Sequence, residues 1–376
     1  MKKILLLPLL NSMPSGHHQV AAALSEYVSE HTKSIECKKV DLLSEWNPVA
    51  ESAIVKIYRN WIHYMPNLYG KLYRLLANHS KASRSHKLYE FLFLNKMEDI
   101  LEIEKPDLII CTHALPSYLL NQLKKKGRCS IPVLNVYTDF FVNEVWGISD
   151  IDCHFTPTKQ LKSELHERYS VPENRIFITG IPVSSTINKR TETKIKEQST
   201  LLIFGGGMKV EKIIEELKVT DSHMKWNFRI LNSKNNVSGM KTRNRMPDSI
   251  QLLPDISSKE KMNDLYNEAA AFVTKPGGVL IGEAVRKNLP IFIHSTLPGQ
   301  EEINLDYLAK EKLVFKIPPS SNMLKYVENT LSDSKKMAAY QENIQEYKET
   351  VELKNSSQIY AVLERFMNEE NASFLN

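Results

Sequence analysis

Cysteine and glycine are both scarce in this sequence, and long apolar runs are missing. Only 4 of 376 residues are cysteines, and Cys37, Cys111, Cys129 and Cys153 stand far apart, with no Cys-x-x-Cys pair and no histidine partner pattern. That excludes a disulfide-stapled scaffold and a structural zinc site, and it points to a reducing cytoplasm. No apolar stretch approaches the roughly 17 residues that a membrane-crossing helix needs. Charge of one sign does not dominate either: 49 Lys and Arg against 44 Asp and Glu leave +5. So mild an excess fits a membrane surface or a phosphate-bearing ligand. No basic stripe persists through the second half and no nucleic-acid-binding module is present, so nucleic acid is not an expected partner. With 42% hydrophobic and 25% charged residues, what remains is an ordinary globular chain, long enough for two domains.

The first residues imitate a signal peptide, with Lys2-Lys3 ahead of Ile4 to Leu10. The apolar stretch is short, Pro8 interrupts it, and no small-x-small cleavage site follows, so it reads as a buried first strand. A polar loop and a helical pattern from Val20 to Val28 follow, which together open a parallel α/β unit. Further such units end in Pro106 to His113 and Val133 to Asp139, whose short continuous apolar runs suit strands covered on both faces, and Arg175 to Ile181 gives one more strand. Residues 184–199 turn polar and are the expected boundary. Thr200 to Phe204, Phe228 to Leu231, Ala271 to Thr274 and Pro290 to Ile293 then read as strands of a second α/β half, and from about residue 322 the chain reads as charged helix.

Six of the 13 glycines sit in two short runs, Gly205-Gly206-Gly207 and Gly277-Gly278 with Gly282. A chain that concentrates glycine at strand ends brings backbone close to a ligand there. Gly205 to Gly207 lies between a strand and a helix, where backbone N–H groups and the helix N-terminus aim at phosphate. Its spacing is neither Walker A nor GxGxxG; a tight turn is the plain alternative. Glu283 falls about one helical turn past the second run, in reach of ribose hydroxyls. Gln300, Glu301 and Asn304 share a helix face at i, i+3 and i, i+4 spacing, which suits sugar hydroxyls, or else simply a well-capped helix.

In the first half, His17 follows Gly16 at a strand-to-helix turn, where a group titrating near neutrality serves as a base or phosphate contact. Asp139 closes the Val133 to Thr138 strand, the edge at which α/β sheets present ligand-facing residues; a cap or loop anchor is the plain alternative. Asp150-Ile151-Asp152 has the spacing of a metal-binding acidic pair, but it reads as strand and no second acidic cluster supports it, so no metal is expected. Residues 51–97 hold eight Lys/Arg and two acids, a net +6. There Lys56, Arg59 and Arg74 interleave with Trp61, Tyr64 and Tyr69 at helical spacing. This suits a helix on an anionic bilayer, or an amphipathic helix packed on a sheet.

Taken in order, several motifs form a recognisable set: Gly16-His17 with Ala21, Pro106-Asp107 with Ile109, Ile110 and Thr112, Tyr137-Thr138-Asp139 with Trp146, Ile178-Thr179-Gly180-Ile181-Pro182, Thr274-Lys275-Pro276-Gly277-Gly278 with Glu283-Ala284, and Pro298-Gly299-Gln300-Glu301 with Asn304. Together they resemble the processive diacylglycerol glucosyltransferases and monogalactosyldiacylglycerol synthases, relatives of the peptidoglycan lipid I N-acetylglucosaminyltransferase. The resemblance runs from about residue 1 to 365, with Asn355-Ser356-Ser357 matching near the end.

It implies an α/β GT-B fold, two Rossmann-like domains facing across a cleft. An acceptor- and membrane-facing domain would span 1–183, joined by a C-terminal helix at about 355–376, and a UDP-sugar-binding domain 200–350. It further implies inverting, metal-independent transfer of a hexose from a UDP-sugar to a lipid hydroxyl, of diacylglycerol or a glycolipid, with no cofactor. The enzyme would be cytoplasmic and peripheral on the inner face of the membrane. By the resemblance, Gly206, Gly207, Gly277 and Gly278 meet the diphosphate, Ile256 the uracil, Glu283 the ribose, and Gln300, Glu301 and Asn304 the donor sugar. His17 and Asp139 face the acceptor, and one of them takes its proton. Residues 54–97 match the family's membrane-contact region.

Four positions depart from the family pattern. Asn143 replaces the histidine of TDxxxHxxW, Leu280 and Gly282 replace Thr/Ser near the phosphates, and Ala271 is apolar where relatives are often acidic. A soluble or polyprenyl acceptor, or a non-catalytic homologue that binds a sugar nucleotide or lipid, therefore stays open; a GT-B epimerase is a more distant alternative.

Overall fold

The structure is a computed structural model, and it describes residues 1–11, 15–64, 83–188, 198–205, 210–219, 225–231 and 247–368. The chain divides into two units: Met1–Ser185 with Pro298–Gln300 and Lys348–Asn376, and Thr186–Leu297 with Glu301–Tyr347.

In the first unit, β1 (Lys2–Leu7), β2 (Ile35–Lys39), β3 (Leu108–Cys111), β4 (Val133–Val136), β5 (Cys153–Thr156) and β6 (Ile176–Ile178) form one sheet. Its order is β2-β1-β3-β4-β5-β6, and every pairing is parallel. Parallel strands need crossovers, supplied here by α1 (Gly16–His31), α2 (Leu42–Trp46), α3 (Pro48–Tyr64), α4 (Ser83–Glu104), α5 (Ala114–Lys125) and α6 (Lys159–Tyr169). Helices on both faces explain the unbroken apolar strands: Ile4 to Leu7, Leu108 to Cys111 and Val133 to Val136 are buried throughout. Each fully buried leucine there contributes about 1.5–3 kcal/mol.

The second unit repeats the plan with β7 (Gln198–Phe204), β8 (Lys225–Leu231), β9 (Ile250–Leu253), β10 (Ala269–Thr274), β11 (Ile291–Ile293) and β12 (Phe315–Lys316), ordered β12-β11-β10-β7-β8-β9 and again all parallel. Its helices are α7 (Val210–Val219), α8 (Lys259–Glu268), α9 (Gly278–Arg286), α10 (Gln300–Lys310), α11 (Met323–Ser332) and α12 (Ser334–Thr350). Ala271 lies fully buried in the core of this sheet, where a carboxylate would have no water.

The last helix, α13 (Ser356–Met367), packs against α1. Tyr360 stacks on His31 at 5.0 Å, Lys2 Nζ donates to the Met367 carbonyl at 2.8 Å, and Glu352 accepts from the Ile178 N–H at 2.8 Å. At the end of the first unit's main segment, Tyr27 Oη donates to the Val183 carbonyl at 2.5 Å and Ser184 Oγ donates to Glu26 at 3.1 Å. Among the described residues, no helix is long and apolar enough to cross a membrane.

His154, midway along β5, is fully buried and lies parallel to the Tyr137 ring, its Nδ1 3.0 Å from Tyr137 Oη. Burial, with the Arg175 charge second, drives its imidazole from an ordinary 6.5 down to about 3. In the unfolded chain the same group takes a proton near 6.5, so between those values the unfolded state binds more protons. Stability is therefore full above the unfolded value and falls as pH drops below it, by about 1.4 kcal/mol per pH unit for each such histidine. His17 and His113 are lowered as well and act in the same direction. Urea unfolding should show a midpoint falling steadily from pH 7 to pH 5, and His154→Phe should flatten that acid limb. A slope equal in both proteins would contradict this.

Candidate active site

Each sheet has one place where successive crossovers depart to opposite sides, and α/β folds bind ligands beyond the carboxyl ends of the strands there. In the first sheet it lies between β1 and β3, and in the second between β7 and β10. His17 stands in the first turn of α1, just after β1. Its Nδ1 lies 2.7 Å from the Thr112 carbonyl, beyond β3, and 2.9 Å from Thr138 Oγ1, beyond β4. A carbonyl only accepts, so Nδ1 carries the proton and Nε2 presents its lone pair. The Thr112 hydroxyl returns a bond to the His17 carbonyl at 3.1 Å. Burial pushes the His17 imidazole down, and the Asp139 charge and the Thr112 carbonyl offset part of that. The ring is thus neutral at pH 7, the form a base requires.

Asp139 is half-buried at the end of the β4 segment, and the Gln300 side-chain amide, grouped with this unit, donates to it. The loop that follows is strapped down. Gly147's carbonyl accepts from Asn135 Nδ2 at 2.7 Å and Ser117 Oγ at 3.1 Å, and Trp146 packs on Tyr137. Asn143 Oδ1 accepts from the Val145 N–H at 3.1 Å, so this departure from the family pattern anchors its own loop. Asp150 and Asp152 are structural: Asp150 accepts from Ser149 Oγ, and Asp152 accepts from the Val133 N–H and pairs with Lys124 at 2.9 Å.

In the second unit, Gly277 caps α9 and Gly278 begins it, directly after β10. A Cβ on Gly277 would meet nothing nearer than Leu280 Cδ1 at 4.0 Å, and its φ of −82° suits any residue. The protein itself makes no use of the missing side chain, which leaves open space above a helix N-terminus. Gly205 differs: its N–H donates to the Leu231 carbonyl at 2.7 Å, and a Cβ would come within 2.9 Å of that oxygen. Close packing explains that glycine. Gly206 and Gly207 lie outside the described residues.

Glu283 is 1% exposed and turns toward α8, with Oε1 2.7 Å from Lys259 Nζ and Oε2 accepting from Tyr266 Oη at 2.9 Å. One turn on, fully buried Lys287 donates to the amide oxygens of Asn188 (3.0 Å), Asn263 and Asn267 (2.7 Å). Glu301 joins two loops, pairing with Lys275 at 2.7 Å and accepting from the Leu297 N–H at 2.7 Å. Buried Asn304 donates to the Pro276 carbonyl at 3.1 Å. Hence Gly277, Gly278, Glu301 and Asn304 gather at one loop cluster, with the last two holding its walls. Ile256 is half-buried in the β9–α8 loop, three residues ahead of Lys259.

Lys56 is exposed on α3. Arg59, Trp61 and Tyr64 belong to the same helix, their side chains outside the described residues, and Tyr69 and Arg74 lie outside them altogether. Trp46, Val49, Ile54 and Ile57 on α2 and α3 are exposed, as are Phe91 and Leu92 on α4. Sequence reasoning missed Thr138, His113, Lys259, Tyr266 and Lys287, and it missed the role of the Thr112 carbonyl. Only the proximity of Thr112-His113 to a strand end offered a signal.

The family model for monogalactosyldiacylglycerol (MGDG) synthase matches residues 17–183. An uncharacterized glycosyltransferase, YkoN, of Bacillus subtilis (strain 168) is 38% identical over 317 residues, which cover 84% of this chain and 84% of that protein. A processive diacylglycerol beta-glucosyltransferase of Staphylococcus carnosus (strain TM300) is 26% identical over 359 residues, covering 92% and 89%. Among solved structures, Phytolacca americana UGT2 complexed with UDP-2fluoro-glucose and pterostilbene superposes with a TM-score of 0.63 at 12% identity, covering 98% of this chain and 100% of that one. This likeness gives the fold as GT-B.

A Cβ at position 147 would overlap the Ser117 carbonyl and Asn121 Cβ, both in α5. Gly147→Ala should therefore cost about 1–3 kcal/mol of stability, lower the melting temperature and displace the Asp139 loop. Thermal unfolding of the variant checks this, and an unchanged melting temperature would contradict it.

Proposed function

The chain belongs to the monogalactosyldiacylglycerol synthase family of glycosyltransferases, and on that premise we propose that it moves a hexose from a UDP-sugar to the hydroxyl of diacylglycerol or a glycolipid, with inversion and without a metal. The observation that carries this reading is the orientation of His17: the Thr112 carbonyl holds Nδ1–H at 2.7 Å, which leaves Nε2 as the proton acceptor. In one displacement the acceptor oxygen bonds to the anomeric carbon while the bond from that carbon to the UDP oxygen breaks. The acceptor proton passes to His17 Nε2, and the nearby Asp139 charge stabilises the imidazolium that forms.

Negative charge collects on the departing diphosphate, where the N–H groups and dipole at the start of α9 would stabilise it. The open space at Gly277 supports that approach. Glu283 would receive the ribose through a carboxylate already oriented by Lys259 and Tyr266. Ile256 would meet the uracil, and Gln300 with the walls built by Glu301 and Asn304 the sugar. The exposed apolar residues of α2, α3 and α4, with exposed Lys56 on α3, support docking on an anionic bilayer, the inner face of the cell membrane, where the acceptor would reside.

Removing a positioned base typically costs about 10²–10⁴ in rate. His17→Ala and Asp139→Asn should each lose transfer by that order while UDP affinity, measured by calorimetry, stays unchanged. Glu283→Ala should instead weaken UDP binding first. Loss of UDP binding in both first-unit variants, or full transfer by His17→Ala, would overturn this division of roles.

A further inference from the structure

The mechanism gives no task to His113, an imidazole at the first sheet's switch point in contact with His17. It follows Thr112 at the end of β3 and serves as N-cap of α5, its Nδ1 accepting from the Leu115 N–H at 3.2 Å. That bond decides its chemistry. A nitrogen that accepts carries no proton, so the single proton sits on Nε2, and a second could be added only by giving up the cap. The same ring stands edge-to-face against His17, with centroids 4.8 Å apart and planes at 77°. The Thr112-His113 dipeptide therefore grips His17 twice: the Thr112 carbonyl takes Nδ1–H, and the His113 ring closes one side of the imidazole.

We propose that His113 is a positioning residue for His17, a permanently neutral ring that fixes the His17 imidazole in its working orientation and keeps water from one side of it. The proposal rests on His17 being the base. Aromatic rings in such edge contact restrain each other's rotation, and excluded water disfavours the charged form of the ring behind. Burial, followed by the charges of His17 and His18, holds the His113 imidazole well below its ordinary range, in keeping with a ring that stays uncharged. The other titratable groups around His17 are His18 on its own helix and Asp139 beyond β4; Asp41, Lys39 and Glu51 act on His18.

Two substitutions separate the ring from the cap. Asparagine is a good N-cap but has no ring; phenylalanine keeps the ring and cannot cap. In the full-length protein, His113→Asn should keep its melting temperature, lose roughly tenfold in kcat through a misplaced base, and move the acid limb of kcat/KM up by about half a pH unit or more as water reaches His17. His113→Phe should melt earlier yet retain the acid limb of the unsubstituted protein. An NMR titration of the His17 imidazole should show the same upward shift in His113→Asn, and this readout needs no activity. A His113→Asn protein with unchanged kcat, acid limb and His17 titration would reduce the residue to a helix cap and overturn the proposal. If instead His17→Ala transferred sugar normally, the assignment of the base would fail, while the titration would still report whether one ring governs the other.

Discussion

A parallel strand cannot be followed directly by its neighbour; the chain must return over a face of the sheet before it can pair again. In an order such as β2-β1-β3 or β10-β7-β8, one pair of neighbouring strands sends its crossovers to opposite sides. Beyond their carboxyl ends no connection covers the edge, and the N-termini of the following helices converge there. Among the described residues, most of the candidate site groups sit at those two places. His17, Thr112 and His113 occupy the first, and Gly205 and the Lys275 to Gly278 turn occupy the second. The flanking loops serve mainly to hold these groups: Gly147 under Asn135 and Ser117, and Glu301 and Asn304 under Lys275 and Pro276.

The two sites handle charge in opposite ways. Around His17 the structure favours neutrality, through burial and a tautomer fixed by a carbonyl that can only accept. A neutral imidazole can still take up a proton, and the Asp139 charge favours that form. Around α9 the buried polar side chains are matched with partners. Glu283 has Lys259 and Tyr266, and Lys287, one helical turn later, has three amide oxygens. Buried ions are tolerated only with partners of this kind. The arrangement also fixes α8 against α9, and thereby the turn at which a diphosphate would be met.

Most of the fold was legible because strands covered on both faces must be apolar throughout, and those runs stand out. The strands that escaped notice break that rule. β2 is an edge strand reading Ile-Glu-Cys-Lys-Lys with three exposed positions, β12 has two residues, and β9 buries only Ile250. At the candidate site, the side chains carry sequence signals and their partners carry none. Glycine concentrated at strand ends marked both turns in the second half, yet only the fold shows that Gly205 is needed for packing while Gly277 is not. The carbonyl that orients His17 has no residue signature, and it is 95 positions away in sequence. Likewise, helical spacing put Glu301 and Asn304 on one face without saying what that face meets. Lys259 and Tyr266 stand 24 and 17 residues before Glu283, a separation that carries no signal until α8 and α9 are packed together.

Release of UDP from UDP-glucose, UDP-galactose and UDP-N-acetylglucosamine, measured with and without liposomes of diacylglycerol and anionic lipid, tests the central claim most directly. Release from a hexose donor should depend on the liposomes, with a glycolipid in the extract. Release that proceeds equally without lipid would move the acceptor into solution. No release from any donor, in a protein that still binds UDP, would contradict the catalytic reading of His17.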